Sequence, residues 1–246
     1  MAGPILSRAE AAAQRQLKYR SVGDMPQKRS APEQSGAPRL WTPAVRSSCT
    51  VERAAAGSKN STSVRFEGFA SVTGAAYRMW DYYGEYDELV EVGAFEQTLA
   101  QTDLDVPLVL DHVSSRRLAR TGNASSPLEL AEITDGDTTG LRSIAPTMQL
   151  SDPDVAYIVP KLDSELIDEM SFRFTIEAGR WNDEFTQYTI QRVNIHRGDV
   201  SIVGYGASPH TAGSGLRDQV DPADRQLALA RSVAGDNRYA RIGARG

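Results

Sequence analysis

Between residues 64 and 205 the sequence repeatedly places a short run of apolar and β-branched residues between turn-forming segments. Runs of this kind are typical of β-strands. Val106–Leu110 is apolar throughout, as expected of a strand buried on both faces, and Asp135–Gly140 is rich in turn-forming residues. The pattern predicts a mainly β fold with a few peripheral helices, closed as a β-barrel. The predicted strands are 64–72, 86–92, 106–110, 128–134, 141–148, 172–178, 186–195 and 199–205.

Three short helices are predicted around these strands. The longest starts at Asp152-Pro153, bends or restarts at Pro160, and brings Ser171 to its C-terminal edge. A second covers 93–99, where two apolar residues lie four positions apart. A third, over 8–19, would be marginal alone at its length. The longest helix is predicted from one apolar stripe, made of Leu162, Leu166, Ile167 and Met170.

The two ends of the chain differ from the middle in charge and composition. Residues 1–60 carry 10 Lys and Arg against 4 Asp and Glu, whereas the net charge of the whole chain is -5. Segments rich in Pro, Gly, Ser and Arg bury too little apolar surface to offset the entropy of ordering. We therefore predict a flexible basic N-terminal arm at 1–63, a folded domain at 64–212 and a flexible tail at 213–246. The acidic body argues against specific nucleic-acid binding.

Several classes of protein are excluded by the motifs that the sequence lacks. The single cysteine, Cys49, allows no intramolecular disulfide and fits a reducing compartment. The sequence has no signal-peptide pattern and no apolar run long enough for a membrane span. It also lacks a Gly-x-Ser-x-Gly elbow, a phosphate-binding loop and a zinc-binding His-Glu-x-x-His helix. The sequence thus predicts no metal and no cofactor, in a cytosolic or particle-enclosed protein.

The residues that could carry chemistry are few, because the chain has only three histidines: His112, His196 and His210. A serine hydroxyl becomes a good nucleophile only when a base accepts its proton, and imidazole suits that role near neutral pH. His112 follows the apolar run 106–110, and Ser171 opens another predicted strand. From the residues alone, a strand-end histidine satisfied by hydrogen bonds and a serine bonded to backbone are the commoner interpretations of these two positions.

Five motifs follow one another in the order found in a known family. They resemble those of the prohead (capsid maturation) proteases of tailed bacteriophages, which are distantly related to the herpesvirus assemblins. The resemblance covers about residues 64–212 and implies an assemblin-like β-barrel with serine endopeptidase activity. The motifs are Phe66-Glu-Gly-Phe-Ala-Ser-Val, Glu91-Val-Gly-Ala-Phe-Glu-Gln-Thr-Leu, Pro107-Leu-Val-Leu-Asp-His, Met170-Ser-Phe-Arg-Phe and Asp199-Val-Ser-Ile-Val.

The resemblance also implies a role for each residue of the site. Ser171 would be the nucleophile, His112 the base and Asp199 the residue that orients the base. His196 is the alternative third member, in the His-Ser-His arrangement of the herpesvirus relatives. We favour Asp199, since a carboxylate binds imidazolium through a charge-assisted hydrogen bond. Arg173 would support the oxyanion or bind an acidic substrate group, unless it is simply solvated.

The function implied by the resemblance is proteolysis during phage head assembly. The protein would be enclosed in the immature capsid within the host cytoplasm, or encoded by a prophage and cytoplasmic. It would cleave the scaffold or the major capsid protein and then itself, as a monomer or a homodimer, without a membrane partner. The alternative is a non-enzymatic assembly or scaffold module that keeps the fold and uses basic arms to bind capsid subunits.

Overall fold

The protein is mainly β, with two sheets and three helices in the part of the chain that the computed structural model describes, residues 6–29 and 62–206. The predicted mainly β fold with a few helices is therefore confirmed. In chain order, the elements are α1 (Arg8–Lys18), β1 (Ser63–Val72), β2 (Tyr77–Trp80), β3 (Glu85–Val90), α2 (Glu96–Leu99), β4 (Pro107–Leu110), β5 (Val113–Arg120), β6 (Glu129–Asp135), β7 (Thr138–Gln149), α3 (Pro153–Asp163), β8 (Glu169–Trp181) and β9 (Gln187–Val203).

Strand β9 organises the larger sheet because it is long enough to pair with three others. Its first part pairs in parallel with β3, its last part pairs in parallel with β4, and β8 runs antiparallel along its other edge. The hairpin partners β2 and β5 extend the sheet beyond β3 and β4. Residues from distant parts of the sequence thus meet along β9.

The second sheet has three antiparallel strands in the order β1-β7-β6. Strand β1 lies near β8 but forms no ladder with it, so the two sheets do not close into one barrel within residues 62–206. The predicted barrel is therefore not confirmed. The apolar side chains of the two sheets still share one buried cluster, which includes Phe66, Leu108 and Leu141.

The structure differs from the predicted strands in two places. The predicted strands 186–195 and 199–205 are one strand, β9, interrupted by a bulge at which Arg197 has a φ of 58°. The register with β8 jumps there, from Arg173↔Asp199 to Thr175↔Asn194. Strand β5 was not predicted, because most of its residues are polar and exposed, as on the edge of a sheet.

Ser171 lies on a strand and not at the end of a helix, which corrects the prediction. Helix α3 includes Pro160 and ends at Asp163, with Ser164 as its C-cap. Leu166, expected in the apolar stripe, is 75% exposed, whereas Met170 is buried as the second residue of β8. The apolar spacing therefore came from two different elements. None of the helices described in the structure is long and apolar enough to cross a membrane.

Helix α1 packs on the body and is not free of it. Ser7 and Glu10 form a capping box at its N-terminus, and Arg15 is fully buried against Asp81, which precedes β3. The N-terminal segment 8–29 therefore differs from the free arm that its composition predicted, because tertiary contacts supply the stability that an isolated helix lacks. The boundaries of the protease domain, at 64 and 212, stay a prediction.

Candidate active site

His112 is held in a two-residue turn between β4 and β5. Asp111 and His112 have φ values of 49° and 56°, and Leu110 pairs with Val113. Positive φ at both positions is the geometry of a type I′ hairpin turn. Asp and His tolerate this left-handed region better than most residues, although Gly and Asn are commoner there. The turn brings the imidazole into contact with a side chain of β9.

The imidazole of His112 is bonded to the carboxylate of Asp199. Nδ1 of His112 lies 2.5 Å from Oδ1 of Asp199, and Asp199 is only 4% exposed. An ionised carboxylate only accepts hydrogen bonds, so Nδ1 carries the proton and Nε2 of the neutral ring is left as an acceptor. This tautomer is the one that a general base needs.

Arg173 contacts both members of this pair. Its Nη1 lies 3.5 Å from Oδ2 of Asp199, and its Nη2 donates to the carbonyl oxygen of His112 at 3.4 Å. The side chain is 59% exposed, so much of the guanidinium faces outward. Arg173 thus lies at the candidate site, beside the carboxylate of Asp199, and is more than a solvated strand residue.

Ser171 lies on the same face of the sheet as Asp199. In the β8–β9 ladder Ser171 is directly opposite Ser201, and Arg173 is directly opposite Asp199. Residues opposite each other on antiparallel strands point to the same side. Phe172 points to the other side, toward the core, where its ring packs on those of Phe95 and Phe174.

The structure brings His112, Asp199 and Arg173 into contact with one another. Ser171 lies beside them on β8, two residues before Arg173. Ser171 is partly exposed, and no hydrogen bond joins its hydroxyl to the imidazole of His112 in the described structure. Catalytic hydrogen bonds are often long in enzymes without substrate. Ser171 and His112 are connected through Ser201, which is opposite Ser171 and contacts the backbone of His112.

His196 lies elsewhere, in the bulge of β9. Its Nδ1 accepts a hydrogen bond from the backbone of Asp105 at 3.3 Å, and its own backbone donates to the side chain of Asn194. Asp105 also accepts from Arg197 N, and its hydrogen bond with Arg120 lowers the pKa of the Asp105 carboxyl. The contacts of His196 therefore shape the bulge. His210 lies outside the described residues.

Ser201 belongs to the site but was missed from the sequence. It is fully buried, and its Oγ accepts a hydrogen bond from the backbone N–H of His112 at 2.9 Å. The signal was present in the motif Asp199-Val-Ser-Ile-Val, because residues two apart on a strand share a face. In the described part of the chain, no three His, Cys, Asp or Glu side chains are grouped as metal ligands would be.

The chain belongs to the caudovirus prohead serine protease family, which matches residues 50–225. The match spans the whole candidate site, from the His112 turn to Ser201. Family membership indicates a serine peptidase of capsid maturation. No curated protein and no solved structure matches the chain significantly.

Proposed function

We propose that this protein is a capsid-maturation endopeptidase in which Ser171 is the nucleophile, His112 the general base and Asp199 the orienting residue. The observation that carries the proposal is the 2.5 Å contact between Nδ1 of His112 and the buried carboxylate of Asp199. Ser171 lies on the neighbouring strand and the same face. A base with its orienting acid beside a partly exposed serine is the arrangement that acyl transfer requires.

The proposed mechanism follows from these positions. Nε2 of His112 accepts the proton of Ser171 as its hydroxyl oxygen attacks the peptide carbonyl, and Asp199 stabilises the imidazolium that forms. The same proton then passes to the leaving amine, and water hydrolyses the acyl-enzyme by the same route. Backbone N–H groups stabilise the oxyanion, and the exposed guanidinium of Arg173 is a candidate contributor. The chemistry requires no cofactor.

The proposed substrates are the scaffold and the major capsid protein of the same phage, followed by the protease itself. Proteolysis would take place inside the immature capsid in the host cytoplasm. These substrates and this location come from the resemblance and from membership of the family. A homodimer is compatible with the proposal but is not needed for it, since one chain supplies all three residues.

Co-expression with the cognate major capsid protein tests this proposal. Mass spectrometry of both chains should find new termini with the wild-type protein and with Ser125→Ala, which alters an exposed serine away from the site. Ser171→Ala should give none. Capsid protein that co-purifies uncleaved with the wild-type chain would instead support the non-enzymatic assembly module.

A further inference from the structure

Among the residues that the structure describes, Ser201 is the only hydrogen-bond partner of the backbone N–H of His112. Its Oγ accepts that hydrogen bond at 2.9 Å and lies 3.3 Å from the carbonyl oxygens of Val109 and Ile202, to either of which it can donate. Ser201 therefore links β4 and β9 to the turn that carries the candidate base.

This link is needed because the turn is strained. Non-glycine residues with positive φ are disfavoured, and they persist when the surroundings hold them in place. Two successive residues, Asp111 and His112, have this conformation. Asp111 N donates to the carbonyl of Ile202 at 3.0 Å, and His112 N donates to Ser201. Both backbone amides of the turn are thus held by β9.

Ser201 also lies next to the other members of the site on the sheet. Ser201 is opposite Ser171 in the β8–β9 ladder and two positions after Asp199. One short stretch of β9 therefore positions the backbone of His112 through Ser201 and its ring through Asp199. A displacement of about 1 Å in such an arrangement can cost a factor of about 100 in rate.

We propose that Ser201 is a positioning residue, whose hydroxyl fixes the His112 turn so that the imidazole faces Ser171. This inference rests on the proposed function. Ser201 is not itself the nucleophile, because it is fully buried and its hydroxyl is engaged with backbone groups.

The test compares Ser201→Ala with Ser143→Ala and Ser201→Thr in the full chain. Ser143 is also fully buried, on β7, but its hydroxyl has no partner within residues 62–206, so its removal should change nothing at the site. The probe is a fluorophosphonate, which phosphonylates an activated serine oxygen with loss of fluoride. The measured quantities are the labelling rate of Ser171 and its pH profile, after thermal melting has shown that each variant folds.

We expect Ser201→Ala to lower the labelling rate by about 10- to 100-fold, while Ser143→Ala and Ser201→Thr, which keeps the acceptor, react at near the wild-type rate. Wild-type labelling by Ser201→Ala, or equally slow labelling by folded Ser201→Ala and Ser201→Thr, would overturn the inference. If Ser201→Ala does not fold, Ser201→Cys replaces it, since a thiol is a weak acceptor, with the same slower labelling expected.

A second readout separates this inference from the proposed function. In a Ser171→Ala background, the chain has only three imidazoles to follow by NMR. Replacing Ser201 by Ala should shift the His112 ring signals and change their pH titration, whereas Ser143→Ala should not. If wild-type Ser171 fails to react with the probe, the proposed function fails, whereas unchanged His112 signals in Ser201→Ala contradict the positioning role alone.

Discussion

Two clusters of polar side chains in this protein have similar composition but differ in burial. The N-terminal cluster (Arg15, Tyr19 and Asp81) and the site cluster (His112, Asp199 and Arg173) each combine an arginine, a carboxylate and a ring. In the N-terminal cluster, Arg15 and Asp81 are completely buried. In the site cluster only the carboxylate is buried, while His112 and Arg173 are 26% and 59% exposed.

The difference lies in how many hydrogen-bonding groups remain available. Arg15 donates to both oxygens of Asp81 and to the carbonyls of Gly84, Glu85 and Phe185, and its guanidinium lies over the ring of Trp181 at 5.1 Å. Every polar group of such a network serves the fold. The ring of His112 uses Nδ1 for Asp199, and Nε2 has no partner within the described ranges. A cluster whose hydrogen-bonding groups are all paired stabilises the fold, whereas a partly exposed cluster with a free acceptor can take part in a reaction.

The largest effect that this comparison predicts is loss of turnover in Asp199→Asn. The amide can present its N–H to the ring and favour the wrong tautomer, so we expect kcat to fall on the order of 10⁴-fold while the protein stays folded. His196→Ala should retain near wild-type turnover, because His196 contacts Asp105 in the bulge. The measurement is hydrolysis of a peptide that spans a cleavage site mapped by co-expression. Wild-type turnover by Asp199→Asn together with an inactive His196→Ala would show that the third member was assigned wrongly.

The N-terminal cluster should respond in the opposite way. Asp81→Ala leaves the buried charge of Arg15 without its partner, and we expect a loss of about 3–5 kcal/mol in the free energy of unfolding. Urea unfolding measures the loss, and turnover per folded molecule should stay close to wild type. The double variant Arg15→Met/Asp81→Leu should recover much of the stability, because it removes both charges. Unchanged unfolding in Asp81→Ala would mean that helix α1 does not dock in solution.

Two glycines allow the same perturbation to be made near the site and far from it. A Cβ at Gly198 would lie 1.9 Å from the carbonyl oxygen of Arg173, and one at Gly140 would lie 2.0 Å from that of Ser71. Each alanine should cost about 1–3 kcal/mol of stability, since backbone must move. Only Gly198→Ala should also lower kcat, because it displaces β8 next to Asp199. Equal kcat in the two folded variants would contradict the account.

The smallest predicted effect concerns stability at alkaline pH. Burial, and then the charge of Glu88, raise the pKa of Tyr188 to about 12, above the value of about 10 of an unfolded chain. Between these values the unfolded state loses a proton that the folded state keeps, so stability is complete below about pH 10 and falls toward pH 12. Urea unfolding across this range should show a smaller fall for Tyr188→Phe than for Tyr82→Phe, a change at an exposed tyrosine.

The same substitution is informative at neutral pH. The hydroxyl of Tyr188 is buried without a hydrogen-bond partner among the described residues. Its removal should therefore leave stability at pH 8 unchanged or raise it slightly. A marked loss in Tyr188→Phe would reveal a partner of the hydroxyl in solution.

Much of this arrangement follows from local sequence patterns, and the rest depends on long-range contacts. Alternation along 170–174 predicts that Phe172 and Phe174 share a face opposite Arg173, and their stacked rings confirm it. The docking of helix α1 was not predictable in this way, because the partner of Arg15 lies 66 positions away. The end of helix α3 was missed because an apolar spacing that suits a helix continued into β8.

Ser201 shows a further limit of sequence reasoning. Its strand and its face follow from alternation, but the role of its hydroxyl depends on a turn 89 positions earlier in the chain. Only the parallel pairing of β4 with β9 brings that turn to Ser201. Pairings between distant strands are set by the whole sheet and leave little trace in either segment alone.

The most direct test of the central claim is fluorophosphonate labelling of the full chain. It measures which residue is labelled and which side chains the labelling rate depends on. The account predicts one labelled residue, Ser171, with labelling slowed by orders of magnitude in His112→Gln and Asp199→Asn. Asp81→Ala and His196→Ala, measured on folded protein, should label at near the wild-type rate. A label on another serine, or an equal rate of labelling of Ser171 when His112 is replaced, would contradict the account.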